Sequence, residues 1–355
     1  PPWLEAQGHR GLAAGALLAI VPALSVVAPP ALGALADAVG LRGQLLRAAS
    51  LLAAGAFAAA AYAGSGSGAV LALAMVVYAL ARAPLFGIVD VLALEALGER
   101  SAHFGKLRVF GSLGFLVTAV GFGLVASASS GNALPLIIAG LYVATFVVTL
   151  FLPTRAPRLP RIRLAELGFV AKDARFFLTI LLWQVGNTAY DVCYTLHARD
   201  AGHSDRFIGA LWGLGVVGEV LLMAFGTRLF SAFRPRTLLA VGMACAAARW
   251  ALIGEARSAL ALALLQPLHA LSFALTWLAA TLRLPRLAQG GRLATVQGIL
   301  AGTVGLASVL GSLVFLDLYA RGGGRVVFVS AGAIAALGSL VALGLRTFPP
   351  PSAAR

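Results

Sequence analysis

The sequence predicts an all-α membrane protein, and three observations carry that prediction. The chain is 60% hydrophobic and only 11% charged, where a soluble chain carries about a quarter charged residues. Its mean hydropathy is +0.92. Its apolar residues also fall into successive runs, each long enough to cross the ~30 Å of a bilayer's hydrocarbon. The formal charge of +14 does not mark a nucleic-acid binder, because the basic residues are scattered between apolar runs and form no basic face. Cys193 and Cys245 both lie in apolar segments without metal or redox spacing, so they read as small buried side chains.

The apolar runs fall near 10–36, 44–64, 68–97, 106–128, 133–152, 176–198, 206–230, 237–255, 259–284, 293–318 and 325–346. That makes eleven spans. The opening PPWLEAQG reads as the last turn of one more helix leaving the membrane, so the expectation is eleven spans plus a stub, with the first span largely absent. Loop charge gives the orientation. Most of the 27 basic residues lie on the side of Arg42, among them Arg47, Arg100, Lys106, Arg108, Arg155, Lys172, Arg234, Arg283 and Arg346. Arg10, Arg199, Arg206, Arg257, Arg321 and Arg325 lie on the other. The richer side is expected to be cytoplasmic, which places both termini of the complete chain inside.

The longest polar segment, LPTRAPRLPRIRLAELGFVAKDAR, separates two halves. Its prolines and arginines suit a cytoplasmic connector with a short amphipathic helix after Arg163. The domain expectation is an N-terminal bundle at 1–152, the connector at 153–175, a C-terminal bundle at 176–346 and a tail at 347–355. The halves echo each other. LEAQGHRGLAAG at 4–15 resembles ARDAGHSDRFIGAL at 198–211, and the same offset maps Gly111 onto Gly305. A parallel repeat of this kind is a known transporter layout.

Three constellations carry chemistry. The first is GALADAVGLRGQLLR, with Gly33, Asp37, Gly40, Arg42 and Arg47 at a helix–loop–helix boundary. Its glycines permit close helix approach and a sharp turn, and Asp37 can cap a helix end and pair with a basic residue. The second spans Arg82 to Phe115, where Asp90 lies inside one apolar run and Arg108 opens the next. Their spacing puts them at similar depth on antiparallel neighbours. A charge in hydrocarbon costs about 2.5–3.5 kcal/mol on insertion scales, so the pair is either a structural clamp or part of a substrate site. Lys106 is expected to snorkel to the surface, and Arg82 lies beside a kink at Pro84. The third places Glu219, Arg249 and His269 on three consecutive spans, each in the middle third of the bilayer. An acid, a permanent cation and an imidazole at one depth are the parts of a proton relay. Burial favours the neutral carboxyl and a nearby guanidinium the charged one, so movement between them can load and release a proton.

Other polar residues in the spans are weaker signals. Asp191, with Tyr190, Tyr194 and Gln184, either lines a cavity or serves helix packing. Trp183, Trp212, Trp250 and Trp277 either stack on an aromatic solute or anchor and pack the helices. GSLGF at 111–115 and GTVGLASVLGS at 302–312 suit close helix packing. No nucleophile triad, phosphate loop or metal cluster is legible, so neither an enzyme nor a cofactor or metal is expected.

The first constellation resembles the signature loop of the major facilitator superfamily, Gly-x-x-x-Asp-x-x-Gly followed by basic residues, although Ala38 stands where a basic residue is usual. FGKLRVFGSLGF at 104–115 resembles the lactose-permease-like group, and closest its phenylpropionate-permease branch. The resemblance implies two six-helix bundles. It also implies that Asp90 and Arg108 flank the substrate and that Glu219, Arg249 and His269 couple protons; Asp191 and Trp183 join the candidate substrate-binding residues on the reading of their own spans, not on the resemblance. That group carries a second acid just beyond the histidine, where this chain reads SFALTW. An Asp at position 90 in place of a Glu argues against a sugar. The expected protein is a monomeric proton symporter of the bacterial inner membrane, importing a small organic carboxylate, with protons, substrate and lipid as its partners and no nucleic acid. A proton-coupled exporter of cations and a transport-inactive sensor or scaffold are the competing readings.

Overall fold

Long apolar helices occupy nearly all of the computed structural model, which describes residues 11–63, 67–126, 133–152, 159, 168–288 and 291–346. The described elements are α1 Gly11–Val39, α2 Arg42–Ala63, α3 Gly68–Leu97, a 3-10 turn Gly98–His103, α4 Phe104–Ala126, α5 Ala133–Thr149, α6 Gly168–Lys172 and α7 Ala174–Asp200. They continue with α8 Asp205–Phe225, α9 Thr227–Ala232, α10 Pro235–Glu255, α11 Ala259–Leu265, a π-helical turn Ala270–Leu275, α12 Thr276–Leu287 and α13 Leu293–Leu343. No strand occurs among the described residues. The protein is therefore an all-α membrane protein, and the expected connector falls largely outside the described residues, as do the 347–355 tail and the start of the LEAQGHRGLAAG echo.

Among the described residues seven helical stretches are long and apolar enough to cross a membrane. Two of these run for 51 residues, and each contains a break. The first is interrupted by the 3-10 turn, where Arg100 leaves helical geometry. The second is α13, where Gly323 takes φ 67° and ψ −173°. A side chain at that positive φ would clash with its own backbone, so the glycine lets one helix end and the next begin. Helix α7 falls outside the seven because its polar residues, Gln184, Asn187, Thr188 and Asp191 among them, dilute its hydropathy. The expected span 259–284 is also interrupted. Pro267 cannot donate to the helical ladder, and the chain passes through Gln266–Leu268 into the π turn that starts just after His269.

The chain divides into two compact units, each drawing on separated segments. The first comprises 1–92, 119–166 and 288–305. Inside it Phe57, Tyr78 and Tyr142 form an aromatic cluster with ring centroids 4.8–6.1 Å apart. Arg47 donates to the carbonyls of Thr149 and Leu150 at 3.3 and 3.0 Å, placing a cation on the negative end of α5. Helix α1 meets the start of α13 backbone to backbone: a Cβ at Gly33 would overlap the Ala294 carbonyl, and one at Gly298 the Pro29 carbonyl.

The second unit comprises 93–118, 167–287 and 306–355. Its core joins Tyr190 and Tyr194 of α7 with Trp250 of α10 and with Phe315 and Phe328 of α13. In both units large apolar side chains such as Phe110, Val148, Leu264 and Leu313 are exposed, as expected where lipid rather than water covers the surface.

Candidate transport site

In the first unit, Asp37 is the centre of a closed polar knot. The Arg42 Nη2 donates to its Oδ1 at 2.7 Å, with both side chains buried. The backbone N–H groups of Ala294 and Thr295 donate to its two oxygens at 3.3 and 2.7 Å, and the Thr295 hydroxyl adds a further bond of 2.7 Å. Those amides are the free donors of the first turn of α13, so a carboxylate on α1 caps a helix far along the chain. Gly40, at φ 68°, makes the left-handed turn that ends α1 and brings Arg42 back to Asp37. Asp90 is also buried in this unit and accepts from the Gln297 amide at 3.5 Å.

The second unit holds the acid, cation and imidazole together. Ser112 of α4 donates to Glu219 Oε1 at 2.6 Å, and His269 Nε2 stands 3.7 Å from Glu219 Oε2. Arg249 Nη1 lies 3.3 Å from the other ring nitrogen, Nδ1. A guanidinium only donates, so Nδ1 must accept. The ring proton then sits on Nε2, aimed at Glu219.

Arg249 is fully buried and compensated by neutral groups. It donates to the Leu265 carbonyl at 3.1 Å, Ser272 Oγ at 3.3 Å and Gln266 Oε1 at 3.2 Å. Its guanidinium carbon lies 4.5 Å from both the Tyr190 and Trp250 ring centroids, a cation–π arrangement strengthened by desolvation. Tyr190 donates to Gln266 Oε1 at 2.8 Å, and Gln266 Nε2 donates to the Tyr194 hydroxyl at 2.6 Å. The interrupted helix contributes to this acceptor set: at the break the His269 N–H bonds the Gln266 carbonyl at 2.8 Å, and the Leu265 carbonyl accepts from Arg249, while a π turn beside such a cluster is a common functional device.

The remaining expected site residues are distributed as follows. Arg108 is half-buried on α4, one turn before Ser112, and its charge acts on Glu219 through space. It belongs to the second unit, whereas Asp90 belongs to the first. Trp183 is buried, donates from Nε1 to the Ser272 carbonyl at 2.9 Å and packs against Phe273 and Trp277. Asp191 is exposed on α7 and accepts from Asn187 Nδ2 at 3.4 Å. Tyr190 and Tyr194 are fully buried in the Arg249 network, so their hydroxyls are committed there. The sequence reading missed Ser112, which it assigned to helix packing, and it missed Gln266 and Ser272. A polar residue beside the Pro267 break was the available signal for Gln266.

No metal-ligating cluster occurs among the described residues. A family model described as "MFS_1 like family" matches residues 1–329. The "Probable 3-phenylpropionic acid transporter" of Escherichia coli (strain K12) is 28% identical over 288 residues, which cover 79% of this chain and 75% of that protein. Among solved structures, the human organic anion transporter MFSD10 (TETRAN) aligns with TM-score 0.75 at 17% identity, covering 96% of this chain and 87% of the other. The E. coli fucose:proton symporter FucP gives TM-score 0.72 at 14% identity, covering 96% and 93%. At such identities the two structures establish the shared fold. The chain adopts the major facilitator fold and belongs to the MFS_1-like family of membrane transporters.

Proposed function

We propose that the chain is a proton symporter that imports a small organic carboxylate, with an aromatic acid as the favoured class, across a bacterial inner membrane by alternating access. The observation that carries this reading is the buried Glu219 carboxylate, held by Ser112 at 2.6 Å and faced by His269 Nε2 at 3.7 Å. Protonating His269 as well would put a hydrogen on Nδ1 and break its contact with Arg249. Proton occupancy of this cluster is thereby tied to the position of Arg249. Arg108, on the same unit, supplies a planar fork for a substrate carboxylate. When Glu219 takes up a proton, it releases its electrostatic hold on Arg108, which then binds an anion more readily.

The identity to a protein named as a 3-phenylpropionic acid transporter supports an arylalkyl carboxylate. In this reading Asp37, Arg42, Gly33 and Gly40 form the cytoplasmic gate, and Asp90 contributes the acidic wall of the substrate path. The two-bundle division at 153–175 belongs to the same proposal. The test is uptake into proteoliposomes with an inward proton gradient, using an arylpropionate as solute. Gradient-driven accumulation supports the symporter. Extrusion of cationic solutes instead would favour the exporter, and an absence of flux for either class would favour the sensor.

A further inference from the structure

Asn187 lies on α7 between Trp183 and Asp191, each one turn away, so the three share a helix face. The side chain is 4% exposed, yet its Oδ1 has no hydrogen-bond partner among the described residues. Its orientation is dictated by Asp191. A carboxylate accepts only, so the Asn187 amide must present its NH2 there, as it does at 3.4 Å. The atom left over is necessarily an acceptor. A buried acceptor without a donor is costly and calls for a partner.

The surroundings define the partner. Trp183 packs on Phe273 and Trp277 at 5.5 and 6.1 Å between ring centroids, and Phe273 stacks at 5.1 Å on His269. This aromatic wall borders the proton cluster and suits a flat ring. Trp277 Nε1, on the same wall, is also buried without an acceptor among the described residues. Asp191 would attract a cation, but the Arg249 charge acts on that carboxylate through space and opposes a second positive charge. A neutral donor fits best.

We infer that Asn187 is a specificity-determining residue of the transport site, whose Oδ1 accepts a hydrogen bond from a hydroxyl on the ring of an aromatic carboxylate. The inference rests on the carboxylate reading above and narrows it to hydroxyaryl acids. A site built to pair a hydroxyl discriminates against the analogue lacking one, because the buried acceptor is then left unpaired.

The test measures affinities of the purified full chain for 3-phenylpropionate and its ring-hydroxylated isomers by calorimetry. At least one isomer is expected to bind on the order of tenfold to a hundredfold more tightly than the parent acid. In Asn187→Leu the ratio of the two affinities falls to about one, the ring hydroxyl no longer finding its acceptor; in Asn187→Asp, which retains an acceptor oxygen, the preference persists. Equal affinity for all the acids in the unaltered protein overturns the inference and leaves the carboxylate reading intact. Preference that survives in Asn187→Leu also overturns it. Binding of none of the acids removes the carboxylate reading and this inference with it. Should Asn187→Leu not fold, the unaltered protein and Asn187→Asp still decide: a hydroxyl preference in both supports the inference, and its loss in Asn187→Asp overturns it.

Discussion

Glu219 joins two hydrogen-bonding systems, the Ser112 hydroxyl on α4 and the His269–Arg249 pair. Replacing it with Gln preserves shape and a hydrogen bond to Ser112 but removes the titrating group. Glu219→Gln is expected to abolish uphill accumulation while retaining exchange between equal pools, since exchange requires no net proton release; loss of both would mean a structural role. Arg108→Lys separates charge from geometry. An ammonium keeps the charge but cannot make a bidentate contact, so affinity for a carboxylate should fall roughly tenfold to a hundredfold. Near-normal affinity in a direct binding measurement would remove Arg108 from the substrate site. At this scale the sequence was most informative about charges. Glu219, Arg249 and His269 stand out because ionisable groups in apolar runs are expensive, and the structure brings them together. Ser112, Gln266, Ser272 and Asn187 did not stand out, because a neutral polar residue in a helix costs little and its partner lies on a remote segment.

At the scale of elements, helix breaks position the site. Helices α1 through α5 follow the apolar runs closely, and the expected 68–97 span coincides with Gly68–Leu97. The disruption at Gln266–Leu268 was written in the sequence as Pro267, but its outcome, a break beside which the Leu265 carbonyl and the Gln266 amide oxygen accept from Arg249, depends on packing against α10. Helix α7 illustrates the opposite case: beside the face that gives Tyr190 and Tyr194 to the core it carries a polar stripe in which Gln184, Asn187 and Thr188 are buried, and burial against other helices decides what composition leaves ambiguous. The α1–α13 crossing offers a clean test. A side chain at Gly298 would meet the Pro29 carbonyl and the Pro30 Cα, both backbone atoms that cannot swing away. Gly298→Val is therefore expected to lower the thermal midpoint by several degrees, as overpacking costs about 1–3 kcal/mol. A substitution at Gly55, around which there is open space, should leave the midpoint unchanged. Equal effects at the two positions would show that the crossing is not tight.

For the whole molecule, the question is which face meets the cytoplasm. The second unit has two chemically different ends. At one, Arg175, Arg236 and Arg283 donate to the carbonyls of Gly344, Leu345 and Arg346, so cations sit on the negative end of α13. At the other, Arg199 pairs with Asp205 at 2.6 Å, Arg325 with Glu255 at 2.6 Å and Arg321 with Asp317 at 2.9 Å. Tyr319 also donates to Asp200 there. At the first end carbonyls take the arginine donors, with Asp173 3.9 Å from Arg283; at the second the arginines pair directly with acids. Loops rich in Lys and Arg are held inside, whatever acids accompany them, and that count supports a cytoplasmic assignment for the end with Arg236 and Arg346. A reporter fused after Arg355 should then be active only in the cytoplasm. Single cysteines give an independent check: Arg257→Cys should react with a membrane-impermeant maleimide in intact cells, and Arg236→Cys only after permeabilisation. Cys193 is buried and Cys245 half-buried, so both are replaced by serine in the background used for labelling. The opposite pattern would invert the topology, put the Asp37–Arg42 knot at the outer face and exclude it as a cytoplasmic gate.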